Sequence, residues 1–318
     1  MLLLYIVSIK WEGQDLKDST VINQVLILFL IIGVGYYGRK RNIINGEINK
    51  GLNKILLELT LPMMIVSSFD YTFSSEIMIN IVKIFIYSLV IHIFLIIISI
   101  LPYIKFDKDK RDILRFITIF SNCGFMGYPV LGSIYGKIGI LYASIFNIPS
   151  NIFMWSFGVM LFSKNKKSKG LKNILLNPGI LAVFIGVFLF IFSIKLPKPI
   201  YSTLKSVGDV TTPLSMIIIG AMIGDISFKK VFKEISIYYA SFIRLVLVPL
   251  TIYFILNMLD VDFMVRNVVV IVEAMPAAAL SAIFAQAYNK KPEFASQAVF
   301  ITTLLSVITI PAVLKLLG

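Results

Sequence analysis

Ser121-Asn122-Cys123-Gly124-Phe125-Met126-Gly127-Tyr128-Pro129 lies inside an apolar run, with two glycines and a proline spaced to interrupt a helix near its middle. Further along, Glu273-Ala274-Met275-Pro276-Ala277-Ala278-Ala279 places another proline among small residues inside a second apolar run. A helix that restarts after such a break leaves N–H groups without intrahelical partners and presents the positive end of its dipole. Two such ends suit an anion with no dedicated arginine or lysine.

The rest of the chain says what solvent surrounds these breaks. Of 318 residues, 58% are hydrophobic and only 15% charged, against about 25% charged in a typical soluble domain. That leaves too little polar surface for water, so the solvent is lipid. A net charge of +13 then reads as basic loops facing anionic lipid, which argues against nucleic acid as a partner. The single cysteine, Cys123, and single histidine, His92, exclude an internal disulfide framework and a zinc-type cluster. No metal or cofactor is expected. Met1 to Ile9 has no basic residue ahead of it and no small-residue cleavage site after it, so it does not read as a cleaved signal peptide.

A helix needs about 20 mostly apolar residues to cross about 30 Å of hydrocarbon. By that measure the chain is an all-α polytopic membrane protein with ten spans. They fall near Val21–Tyr37, Leu52–Phe69, Ile77–Leu101, Ile113–Leu131, Ile138–Phe162, Pro178–Ile194, Leu204–Ile223, Glu234–Leu256, Val265–Tyr288 and Phe294–Leu317. Alternate loops hold twenty Lys and Arg residues, against nine on the opposite side. The first set includes Lys164, Lys166, Lys167, Lys169 and Lys172, and also Lys229, Lys230 and Lys233. This bias puts both termini outside, in a plasma or inner membrane.

An internal repeat organises the spans. Leu61-Pro62-Met63 recurs as Thr212-Pro213-Leu214 after 151 residues, Asn23 as Asn177 after 154, Gly33 as Gly186 after 153, and Tyr135-Gly136-Lys137 as Tyr288-Asn289-Lys290 after 153. Five spans per copy is an odd number, which forces the second copy to enter the membrane upside down. The expected arrangement is a 5+5 inverted repeat whose fourth and ninth spans are broken and cross at the same depth. Its parts are a short extracellular tail (1–20), a first repeat (21–162), a basic cytoplasmic linker (163–177) and a second repeat (178–317). Gly124, Gly127, Pro129 and Pro276 mark the breaks, and Pro62 and Pro213 mark kinks in the paired second and seventh spans.

Asn122-Cys123-Gly124-Phe125-Met126-Gly127-Tyr128-Pro129 resembles the auxin efflux carrier family. The Leu61-Pro62 and Asn177-Pro178 junctions and the closing Phe300-Ile301-Thr302-Thr303-Leu304-Leu305-Ser306 with Ile310-Pro311 carry the same likeness. Its plant members are the PIN-FORMED carriers, and its bacterial members are described as malate or malonate permeases. The resemblance covers the chain from about Val21 onward. It implies a fold similar to bile-acid and sodium/proton transporters: spans 1, 2, 6 and 7 form a scaffold, and spans 3–5 and 8–10 a moving domain. It also implies that Asn122 contacts a substrate carboxylate. Glu273, close to the second break, departs from the family pattern.

Ionisable groups inside spans cost about 2.5–3.5 kcal/mol each even on the lenient insertion scale, so each is a functional candidate. At 1.5 Å per residue, Arg244 and Glu273 reach similar depths, roughly 15 Å and 12 Å from opposite faces. Their pairing has two readings: a structural ion pair, or a carboxylate that exchanges a proton as substrate comes and goes. Glu58 has two readings: a buried carboxylate, or a residue near the cytoplasmic end that reaches water or Lys54, four residues earlier on the same face. His92 lies deep in the third span, either bonded to a backbone carbonyl or serving as a proton relay. Gly220 and Gly224, with Gly33 and Gly35, allow close helix approach, within one chain or in a homodimer through the scaffold.

These residues point to a secondary carrier of a small organic anion, a mono- or dicarboxylate, working by rocking or elevator displacement. The candidate binding residues are Asn122, Cys123, Gly124, Met275, Pro276 and Ala277. The ion-coupling candidates are Glu273, Arg244, Glu58 and His92. A proton is the first choice of coupling ion. Sodium is the second, with Asn122, Ser121, Thr302 and Thr303 as oxygen donors, and a potential-driven uniporter is the third. An anion channel would show a ring of repeated polar positions, and none is visible. No enzyme-like nucleophile and base pair and no GxxxxGK[ST] loop is present, so neither an enzyme nor direct ATP drive is expected.

Overall fold

A computed structural model describes residues 16–163, 178–224 and 234–317. The expected tail and linker, with Lys164 to Lys172 and Lys229, Lys230 and Lys233, lie outside the described residues, apart from the tail's last turn and Ser163. The described chain is helical, and its one extended pairing is an isolated bridge. In chain order the helices are α1 (Leu16–Lys40), α2 (Gly46–Ile55), α3 (Leu61–Ser68), α4 (Ser75–Ile98), α5 (Lys108–Ile119), α6 (Tyr128–Phe153), α7 (Val159–Phe162) and α8 (Pro178–Ile191). They continue with α9 (Lys198–Asp209), α10 (Thr211–Gly224), α11 (Ile235–Phe242), α12 (Val248–Met258), α13 (Phe263–Glu273), α14 (Leu280–Ala287) and α15 (Pro292–Leu317).

Among the described residues, five helical stretches are long and apolar enough to cross a membrane: Ser75–Tyr103, Cys123–Phe162, Lys198–Gly224, Ile235–Met258 and Pro292–Leu317. This supports a polytopic membrane protein. The 40 residues of Cys123–Phe162 would run about 60 Å, twice the hydrocarbon thickness. The stretch is divided at Gly136, whose φ of 61° and ψ of −143° are open to glycine and strained for any residue with a Cβ.

Proline shapes three more places in one way. The π turns Leu56–Thr60, Cys123–Gly127 and Ile243–Leu247 each end two residues before a proline, at Pro62, Pro129 and Pro249. A proline ring collides with the carbonyl four residues earlier and offers no N–H. The wider turn relieves that collision: Leu61, Tyr128 and Val248 donate five residues back, to Leu56, Cys123 and Ile243. The second expected span therefore stays helical through Pro62. At Pro213 the chain behaves differently, with α9 ending at Asp209 and α10 restarting at Thr211.

The glycines pack inside one chain. A Cβ on Gly35 would run into the Ile217 carbonyl oxygen, and one on Gly220 into that of Ile32. Helices α1 and α10 thus meet backbone to backbone, while a Cβ on Gly33 would meet nothing. Helix α3 packs against α8 and α9, with Gly186 against the Phe69 ring and Gly208 against the Met64 backbone. Helix α4 packs against α6, where Ser88 Oγ donates to the Phe146 carbonyl at 2.6 Å, and α13 lies against both.

Two groups of ion pairs lie toward opposite rims of the expected topology. Lys290 Nζ lies 2.7 Å from Asp112 Oδ2, Lys291 Nζ 2.9 Å from Asp107, and Lys110 Nζ 2.8 Å from Glu234. Lys291 holds the Asp107 carboxyl below the usual range. Asp70 stands 3.4 Å from Lys137 and 3.9 Å from Lys195, and Lys137 lies 4.6 Å from the Tyr201 ring centre. Lysines counted from the sequence as free basic charge are therefore partly neutralised by named acids.

Candidate functional site

The two interruptions meet. Helix α5 stops at Ile119, and Phe120 turns extended at φ −106° and ψ 115°. Helix α13 stops at Glu273, and α14 starts only at Leu280. Between them Ser121 and Ala277 form an antiparallel bridge. The Asn122 N–H donates to the Pro276 carbonyl at 2.7 Å, and the Ala278 N–H to that of Phe120 at 2.9 Å. Hydrocarbon offers a free backbone group no partner, so each broken segment supplies the groups the other lacks.

Each restart is capped in its own way. Asn122 caps its own: its Oδ1 accepts from the Phe125 N–H at 3.3 Å, and its carbonyl accepts from Met126 and Gly127 at 3.1 and 3.0 Å. The Cys123 and Gly124 N–H groups find no acceptor among the described residues. A Cβ added at Gly124 would meet nothing within 4 Å, so open space borders the Gly124 α-carbon, while Cys123 beside it is buried. On the other segment the Ala277 N–H donates to Thr302 Oγ1 at 3.2 Å, and the Thr302 hydroxyl donates in turn to the Ala298 carbonyl at 2.8 Å.

The helix ends on the other side of the breaks carry carbonyl groups, and Arg244 gathers them. Its Nη1 donates to the Thr118 carbonyl at 3.0 Å, its Nη2 to that of Glu273 at 2.9 Å, and its Nε to that of Met275 at 3.2 Å. One guanidinium thus joins the C-terminal ends of α5 and α13, where the dipole favours a cation. Arg244 Nη2 also lies 2.8 Å from Glu273 Oε2, both side chains being wholly buried. That contact is a pairing of charges without an aligned hydrogen bond, and neither Glu273 carboxylate oxygen accepts one among the described residues.

The remaining candidates fall in different places. His92 is fully buried, its Nδ1 2.7 Å from the Ser88 carbonyl, its ring parallel to that of Phe153 and beside those of Phe120 and Phe146. Asn122, Cys123, Met275, Pro276 and Ala277 are buried, and Gly124 is partly exposed. Gly124, Gly127 and Pro129 do not sit in the interruption, which falls earlier at Phe120–Asn122; the two glycines lie in the π turn and Pro129 in the first turn of α6. Glu58 is exposed, which leaves the second of its two readings and removes it as a buried carboxylate. Leu56 and Thr60 occupy the inner face of that π turn, and Glu58, between them, lies exposed on the other face. The reading from sequence also missed the work of Arg244 on three backbone carbonyls and of Thr302 on Ala277.

A family model described as "Membrane transport protein" matches residues 20–314. An uncharacterized transporter of Methanocaldococcus jannaschii is 24% identical over 299 residues, covering 90% of this chain and 95% of its own. The uncharacterized transporter YfdV of Escherichia coli is 22% identical over 304 residues, covering 91% and 95%. An uncharacterized transporter of Methanothermobacter thermautotrophicus is 26% identical over 211 residues, covering 64% and 68%.

Proposed function

The chain belongs to the membrane transport protein family, the family of the auxin efflux carriers, and on that premise we propose that it is a secondary carrier of a small organic anion. A mono- or dicarboxylate of the malate or malonate class binds where the two interruptions meet. The observation that carries this reading is the pair of uncommitted N–H groups on Cys123 and Gly124 at the helix restart, next to the Asn122 side chain and the open space at the Gly124 α-carbon. A helix start with uncommitted N–H groups stabilises a carboxylate with no fixed cation.

In this reading α1–α3 and α8–α10 form the scaffold, and α4–α7 with α11–α15 form the part that moves against it. The ten-span inverted repeat, with both termini outside, supplies the geometry of alternating access. Arg244 holds both broken helices as one body, so the paired breaks travel together. Glu273 is the coupling group: with its charge facing Arg244 it is ionised, and a proton from solvent neutralises it as the anion arrives.

The test is uptake into proteoliposomes, with a panel of small carboxylates under imposed pH, sodium and electrical gradients. A pH gradient is expected to drive accumulation by the wild type, Glu273→Gln to abolish that drive, and Asn122→Ala to abolish uptake. Full pH-driven accumulation by Glu273→Gln overturns the proton assignment, and normal uptake by Asn122→Ala overturns the binding site. Accumulation driven by sodium or by voltage alone replaces the proton with that force.

A further inference from the structure

Three buried polar groups near the breaks lack a hydrogen bond, although one of them, Glu273, faces the Arg244 charge at 2.8 Å. His92 Nε2, both carboxylate oxygens of Glu273 and Ser121 Oγ make no hydrogen bond among the described residues. In so apolar an interior an unmet polar group is costly, so the cluster calls for a proton or a water that satisfies several at once. Geometry fixes the state of the imidazole. Its Nδ1 is 2.7 Å from the Ser88 carbonyl, which can only accept, so Nδ1 carries hydrogen and Nε2 of the neutral ring presents a bare lone pair. The ring packs on Phe120, the residue at which the first break begins, and α4 packs against α13, which ends in Glu273.

We propose that Glu273 and His92 form one buried site that holds a single exchangeable proton, relayed by one water that takes a proton from one group as it gives its own to the other. In one form Glu273 carries it as a carboxylic acid and His92 Nε2 accepts. In the other the Glu273 O–H bond breaks as the His92 Nε2–H bond forms, giving a carboxylate and an imidazolium. The proton comes from solvent, and no other reactant is consumed. The charged and titratable groups that act on this pair are Arg244, from the π turn before α12, and the Cys123 thiol, from the π turn before α6. Arg244 and an ionised Glu273 sum to zero charge, so an occupied site leaves the buried region with one positive charge. An anion held at Gly124 would restore neutrality; this consequence rests on the function proposed above, whereas the site itself rests on the geometry.

Because the chain has one histidine, isotope-labelled histidine reports on His92 alone. The experiment uses full-length protein purified without a histidine tag, in nanodiscs, with no substrate. Nitrogen NMR follows both ring nitrogens, and infrared spectroscopy follows the protonated-carboxyl band, from about pH 9 to about pH 5. The Nδ1 signal is expected to stay protonated throughout, while the Nε2 signal and the carboxyl band change together at one midpoint. Glu273→Gln is expected to remove the band and shift the Nε2 midpoint, and His92→Gln to shift the midpoint of the band. An Nε2 signal indifferent to both pH and Glu273→Gln overturns the proposal, as does a carboxyl band indifferent to His92→Gln. If Glu273→Gln does not fold, the wild-type titration alone decides: separate midpoints, or no change, overturn it. A shared midpoint without pH-driven uptake keeps this site and removes the coupling reading.

Discussion

The two interruptions solve one backbone problem with opposite chemistry. The first, at Phe120–Asn122, carries its own polar cap, and the turn that follows it reaches open space at Gly124. The second, from Ala274 to Ala279, is buried throughout and contributes no capping side chain of its own; it borrows the Thr302 hydroxyl from α15 and the Arg244 guanidinium from the turn before α12. A break followed by a partly exposed turn carries its own amide cap. A closed one has to be held by its neighbours. On the function proposed above, the asymmetry gives recognition to the first break and cohesion to the second.

The largest effect should come from the group that binds both. Arg244→Met strands three carbonyls and the Glu273 charge, and breaking a buried pair in this way costs about 3–5 kcal/mol. Thermal unfolding in detergent should show it. Arg244→Met with Glu273→Gln should regain part of the loss, because the uncompensated charge is gone; no recovery would mean that the carbonyl contacts carry the whole effect.

Next comes the borrowed cap of the second break. Thr302→Val keeps the shape and removes the acceptor for the Ala277 N–H, an expected loss of about 1–3 kcal/mol, with Thr302→Ser restoring most of it. Asn122→Ala removes the cap of the first break at a stability cost of about 1 kcal/mol, smaller than its expected effect on uptake. Asn122→Ser separates the two roles: it retains a capping oxygen but lacks the amide, so stability should recover while uptake stays low.

The smallest effect on folding is at Gly124. A methyl group there meets no neighbour, so Gly124→Ala should leave stability within about 1 kcal/mol of the wild type, on the stabilising side. It should still lower the uptake of longer carboxylates more than that of short ones, measured as a size series. Equal loss across the series would move the ligand away from Gly124.

Much of this was legible along the chain because the signals are local. A run of apolar residues defines a span, and Pro276 removes an N–H wherever it sits. The pairing of Arg244 with Glu273 was legible as similar depth in two spans. Less legible was where a proline's strain goes. Pro62 and Pro129 are absorbed by a wider turn one step earlier, which moved the first break ahead of its glycines, and the exposed face of the π turn before Pro62 carries Glu58. The close approach of α1 and α10 at Gly35 and Gly220 was visible as glycine spacing, but spacing does not tell which helix is met.

By itself the sequence determined the solvent, the helical class and the places where the backbone would run short of partners, because composition and missing donors are properties of residues in order. Only the tertiary structure decided which groups fill those shortages. A carbonyl at Thr118 and a guanidinium at Arg244 are 126 positions apart, and hydrogen bonding acts over 3.0 Å of space whatever the distance along the chain.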